Sequence, residues 1–88
     1  MATREEVKPL VVSKIRVVAH RSQDPPETAK LFDDLGMGPT VRKAMALPYS
    51  RIATSFGGLP VSQAAAGALK TVKESIELVL KKANARES

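Results

Sequence analysis

Leu31-Phe32-Asp33-Asp34-Leu35-Gly36-Met37-Gly38-Pro39-Thr40 decides how the rest of this chain is read. Leu31, Phe32 and Leu35 are apolar residues able to plug a core. Gly36 and Gly38 tolerate backbone angles that other residues resist. Pro39 suits the first turn of a new helix, where its missing N–H costs nothing. The segment therefore predicts a core-anchored turn that launches a helix at about residue 40. Val41, Ala44, Met45 and Leu47 follow at helical spacing, with Met45 and Leu47 expected nearer the core. Pro48 is expected to break or kink this helix, which otherwise runs to Phe56.

Upstream, Ser22 to Lys30 is polar and contains adjacent prolines, Pro25 and Pro26, so it reads as a loop. Before it, Val7, Val11, Ile15 and Val18 recur at steps of four, four and three, one face of a helix spanning about residues 5–20. The abundant valines and Pro9 leave a strand over Leu10–Val18 as a rival reading. Helix is favoured because a lone strand has nothing to pair with. His20 reads as a helix-end residue.

Downstream, Gly57-Gly58-Leu59-Pro60 is a stop, and Ala-rich Val61–Leu69 is a short helix that lets a neighbour approach closely. Thr71, with Glu74 three residues on, has the spacing of a capping box for a last helix over about 71–83. Val72, Ile76, Val79 and Leu80 form its apolar stripe. The fold expected is all-α, a small three- to four-helix bundle in a single domain over residues 1–88, with residues 84–88 frayed.

The composition narrows function. The chain has 88 residues, no Cys and one His, so disulfides, thiol nucleophiles and the usual zinc sites are excluded. Acids at the start of the chain do not read as a signal peptide, and no run approaches the length of a membrane-spanning helix; a cytoplasmic location is expected. The net charge is +5, and all of the excess lies between residues 35 and 73, in Arg42, Lys43, Arg51, Lys70 and Lys73. No acid occurs between Asp34 and Glu74. A field of one sign over such a length attracts an anionic partner. Asp33 and Asp34 read as solvated or turn-stabilising acids, and Ser50, Ser55 and Ser62 have no base at a recognisable spacing. No cofactor site is read from the sequence.

The order of these motifs resembles the acyl carrier protein family. Leu31 to Met37 is similar to the approach to that family's second helix, where an Asp-Leu-Gly turn precedes Asp-Ser-Leu. Met45-Ala46-Leu47, Leu59-Pro60 and Thr71-Val72 with Ile76 and Val79 resemble later elements in the same order. The resemblance covers most of residues 31–80 and implies a four-helix bundle that serves a fatty acid or polyketide pathway. In the family a Ser hydroxyl carries phosphopantetheine through a phosphodiester. Here Gly38, Pro39 and Thr40 occupy that region; neither Gly nor Pro has a hydroxyl, and Thr40 is displaced by one place and bears a crowding methyl. The second helix also presents Arg42, Lys43 and Arg51 where the family presents carboxylates. The Ser22–Lys30 loop is shorter than the family's usual first loop.

These features point to a non-enzymatic, carrier-like accessory protein that cannot be loaded with phosphopantetheine. It is expected to dock an acidic protein partner through Arg42, Lys43 and Arg51. The alternative is a small helix-turn-helix nucleic-acid binder. Ile52 to Gly57 followed by Val61-Ser62-Gln63 loosely fits it, with Ser62 and Gln63 near base edges and Arg51 on phosphate.

Overall fold

The computed structural model of the chain describes residues 1–86. Its elements in order are α1 (Arg4–Val18), α2 (Pro39–Ala44), α3 (Ala46–Ser55), α4 (Gln63–Gly67) and α5 (Val72–Ala83). The all-α expectation therefore holds, with α2 and α3 as two pieces of one interrupted helix. Among the described residues, no helix is long and apolar enough to cross a membrane.

Helix α1 settles the rival readings of Leu10–Val18. Its start is a capping box: the Thr3 hydroxyl accepts from the Glu6 amide, and the Glu6 carboxylate accepts from the Thr3 amide at 3.0 Å. Val7, Val11 and Ile15 are fully buried, whereas Leu10 and Val17 remain 43% and 58% exposed. A strand alternates faces, and neither alternation of this segment is uniformly apolar, so only the helical period buries the stripe. Pro9 lies inside the helix on an exposed position, where the missing hydrogen bond opens toward water.

The end of α1 adopts a left-handed cap at a residue that is not glycine. His20 has φ +56°, its amide donates to the Val17 carbonyl at 3.2 Å, and the Arg21 amide donates to the Arg16 carbonyl at 3.0 Å. That pairing is the Schellman arrangement. The helix-end reading of His20 is thus right, and the residue acts through its backbone.

The interruption after α2 falls at Met45, three residues before the expected point at Pro48. The proline ring crowds the carbonyl four residues back, that of Ala44, and offers no N–H to it. The helix therefore ends at Ala44 and restarts, which places Pro48 in the first turn of α3, where no amide is needed. Met45 is buried as expected, but Leu47 is 60% exposed. Restarting the helix puts Ala46 and Tyr49 on the inner face and turns Leu47 outward.

Helices α1, α3 and α5 pack around one core, and α4 lies chiefly against α2. Val72, Ile76 and Val79 of α5 are fully buried, as is Ala83 at its end. Tyr49 is also buried, and its hydroxyl has no hydrogen-bond partner. Burial of this phenol pushes its pKa up to about 12, a rise that neighbouring Ser75 partly offsets. Leu31 and Met37 enter the core, but Phe32 does not, being 58% exposed. The turn between Leu31 and Met37 is closed by the Met37 amide donating to the Leu31 carbonyl at 2.8 Å, so the two inward residues flank an outward Phe32.

Two clasps close the bundle. Helix α3 ends in a Schellman arrangement at Gly57, φ +82°, with the Gly58 amide donating to the Ala53 carbonyl at 3.0 Å. Gly58 then lies directly on the end of α5, and the next amide, that of Leu59, donates to the Lys82 carbonyl at 2.9 Å. The second clasp joins the chain's ends. Asn84 accepts from the Ala2 amide at 2.8 Å and donates to the Ala2 carbonyl at 3.0 Å. Arg86 donates to the Ala83 carbonyl at 2.9 Å. Asn84 and Arg86 are thus tied to the bundle by hydrogen bonds, and residues 87 and 88 lie outside the described residues.

Gly58 supplies a stability prediction. A Cβ at this position would stand 2.1 Å from the Lys82 carbonyl oxygen and 2.6 Å from the Ala83 Cα. Both are backbone atoms that cannot swing away. G58A should lose about 2–3 kcal/mol by urea unfolding, and a loss below about 0.5 kcal/mol would show that α3 and α5 do not meet here.

Candidate functional site

The loop that ends at Lys30 and the turn between α4 and α5 run antiparallel for a single bridge, Lys30 opposite Thr71. The Leu31 amide donates to the Lys70 carbonyl at 2.8 Å, and the Val72 amide donates to the Ala29 carbonyl at 3.1 Å. Each lysine amide is then held by an acid four residues on. The Lys30 amide donates to Asp34 at 2.7 Å, and the Lys70 amide donates to Glu74 at 3.0 Å. Two backbone segments far apart in sequence are thus fixed side by side, with a lysine on each.

Arg42 of α2 completes the arrangement. With Lys30, Phe32, Asp33, Lys70, Thr71 and Glu74 it lines a surface cleft of about 330 Å³. Arg42 is half-buried, and its Nε is shielded from solvent with no acceptor. The described ion pairs are Arg4–Glu27, Lys8–Glu27 and Arg16–Asp24, so among the described residues none of the three cleft cations is in an ion pair. The start of α5 offers no spare donors. The Val72 amide is taken by Ala29, the Lys73 amide by the Glu27 carbonyl, and the Glu74 amide by the Thr71 hydroxyl at 3.1 Å. Any attraction for an anion comes from side chains.

The sequence-predicted residues are dispersed. Arg42 joins the cleft. Lys43 lays its methylene stem over Gly67 of α4, where an added Cβ would stand 2.9 Å from Lys43 Cγ. Arg51 is exposed on α3 and lines no part of the cleft. Lys30 was hidden by the sequence's local charge balance, since Asp33 and Asp34 follow it closely. Thr40, in the first turn of α2 after Gly38 and Pro39, is exposed. Asp34 serves the Lys30 amide. Ser50 accepts from the Val61 amide at 2.8 Å and donates to the Val61 carbonyl at 3.1 Å, and Ser62 caps α4. Among the described residues no three His, Cys, Asp or Glu side chains gather in a metal-binding group.

Two other clefts flank the proline loop. In one, Arg21 donates to the Asp34 carbonyl at 2.9 Å. In the other, Lys8 pairs with Glu27 at 2.8 Å. Arg4 pairs with the same carboxylate. These hydrogen bonds hold the Glu27 carboxyl down at about 2.

Comparison of the chain with protein-family models, with curated protein sequences and with solved structures gave no match.

The depressed Glu27 carboxyl has a pH signature. A carboxyl lower in the folded than in the unfolded chain stabilises above its ordinary value of 4.5, and that contribution is lost as the pH falls through about 2. The urea midpoint of the native chain should therefore drop between these limits. E27Q should start lower at neutral pH and show a shallower acid decline. Parallel declines in the two proteins would remove Glu27 from the acid response.

Proposed function

We propose that this protein is a non-enzymatic, acyl-carrier-like accessory module that docks an acidic protein partner through its basic face and does not carry phosphopantetheine. The observation that carries the reading is the set of cations around α2 that form no ion pair among the described residues, with Arg42 Nε shielded from solvent and without an acceptor. A half-buried guanidinium in no ion pair gains charge-assisted hydrogen bonds from a partner carboxylate that reaches its accessible nitrogens. The order of the helices, with a long first, an interrupted second, a short Ala-rich third and an amphipathic last, supports the carrier-like part of the reading. Gly38-Pro39-Thr40 at the start of α2 supports the loss of the attachment point. The helix-turn-helix alternative has less behind it. α4 has five residues, is mostly alanine and lies against α2, which leaves little side-chain length to reach base edges.

Charge reversal tests the docking role. R42E/K43E/R51E reverses three charges, of which Arg42 is half-buried and Lys43 rests its stem on Gly67, and should retain the helical circular dichroism of the native chain. An affinity matrix bearing the native protein should retain acidic proteins from extract of the source cells that a matrix bearing the variant loses. Equal retention by both would overturn the basic-face reading. Loading is tested separately. Incubation with a phosphopantetheinyl transferase and coenzyme A should leave the intact mass unchanged, and an adduct on Thr40 or any Ser would refute the loss of the carrier role.

A further inference from the structure

The cleft between the Lys30 loop, α2 and the start of α5 says more about the partner than the overall charge does. Its three cations come from three separate elements, so it forms only in the folded chain. Lys30 and Lys70 are held at fixed backbone positions by the bridge and by the carboxylates of Asp34 and Glu74. Backbone positions held before binding lower the backbone part of the entropy lost when a ligand arrives, and the lysine side chains themselves are ordered by the ligand. Phe32 adds an aromatic face that the fold leaves in water, because the turn spends Leu31 and Met37 on the core instead.

The acids at this cleft set the kind of anion. Asp33 and Glu74 line the same cleft as the three cations. A compact dianion such as phosphate concentrates its charge at one point and meets those carboxylates as well as the cations. A ligand with single charges spread along an extended backbone distributes them over the three cations and concentrates none of its charge beside the acids. An apolar side chain between those charges can then cover Phe32. A nucleic acid strand, by contrast, brings a charge at every phosphate and asks for a continuous cationic track, which the acids interrupt.

We propose that this cleft, with Lys30, Arg42 and Lys70 as its cations and Phe32 as its apolar contact, is the docking site for an extended acidic segment of a partner protein in which carboxylates alternate with apolar side chains. The proposal rests on the docking reading above and moves its centre. Lys30, Lys70 and Phe32 enter the interface, and Arg51 leaves it.

The test uses the full chain and an end-blocked synthetic peptide of alternating glutamate and leucine, with binding followed by amide chemical shifts. A glutamine-leucine peptide, inorganic phosphate and a short random duplex DNA serve as comparison ligands. The acidic peptide should move the amides of Lys30, Phe32, Arg42, Lys70 and Thr71 and bind at least about tenfold more tightly than the other three. K30Q/K70Q removes two charges without touching the backbone bridge and should weaken peptide binding about tenfold. Phe32→Ala should weaken it about threefold or more, and R51E should leave it unchanged. If R51E or R42E/K43E weakens binding while K30Q/K70Q does not, the cleft assignment fails and the basic-face docking reading stands. If no charge variant changes binding, both fail. Phosphate or duplex DNA binding as tightly as the acidic peptide overturns the proposal in favour of a phosphate-bearing ligand.

Discussion

The antiparallel bridge between Lys30 and Thr71 is the contact on which the arrangement of this protein turns. It consists of two backbone hydrogen bonds, from Leu31 to Lys70 and from Val72 to Ala29. Those bonds carry the long proline-containing loop back onto the bundle and fix where α5 begins. The second of them occupies the Val72 amide, which the start of α5 would otherwise leave without a partner. They also set two lysines beside each other that are forty positions apart in the chain. Without the bridge there is no cleft, and the basic residues return to being scattered surface charges worth little individually.

The second constraint is steric. Pro48 cannot sit deep in a helix, and the chain answers by ending α2 at Ala44 and restarting at Ala46. That restart frees α2 to follow α4, whose alanines and Gly67 permit close approach under the stem of Lys43. It also leaves α3 to bury Tyr49 against α5 while Arg42 reaches the turn that carries Lys70. Backbone sterics and small side chains, acting on a short helix, thus decide which cations become neighbours.

Much of the fold was legible from residue patterns. The stripe Val7, Val11 and Ile15 needed a helix because only the helical period brings those three to one face. Thr71 and Glu74 marked the start of α5 because an N-cap hydroxyl has a fixed reach. The same Thr-x-x-Glu spacing stands at Thr3 and Glu6, where the reciprocal capping box forms, whereas at α5 the Glu74 carboxylate accepts from the Lys70 amide instead. Phe32 and Leu47 were misread for one shared reason. Apolar character says that a side chain can be buried, while the direction of a turn or the phase of a restarted helix says whether it is.

The site was less legible, since charge along a sequence is not charge in space. The excess of bases between residues 35 and 73 pointed to an anionic partner, and Arg42 was found that way. Lys30 is masked by the aspartates that follow it, and Arg51, nine residues beyond Arg42 and so about half a turn round any helix, lines no part of the cleft. Local pattern alone determined the helices, their caps and the sign of the surplus charge, because these depend on neighbours within a few residues. Only the tertiary structure decided which cations share a cleft and which acids face them, because Coulomb interaction depends on distance through the fold and the bridge sets that distance.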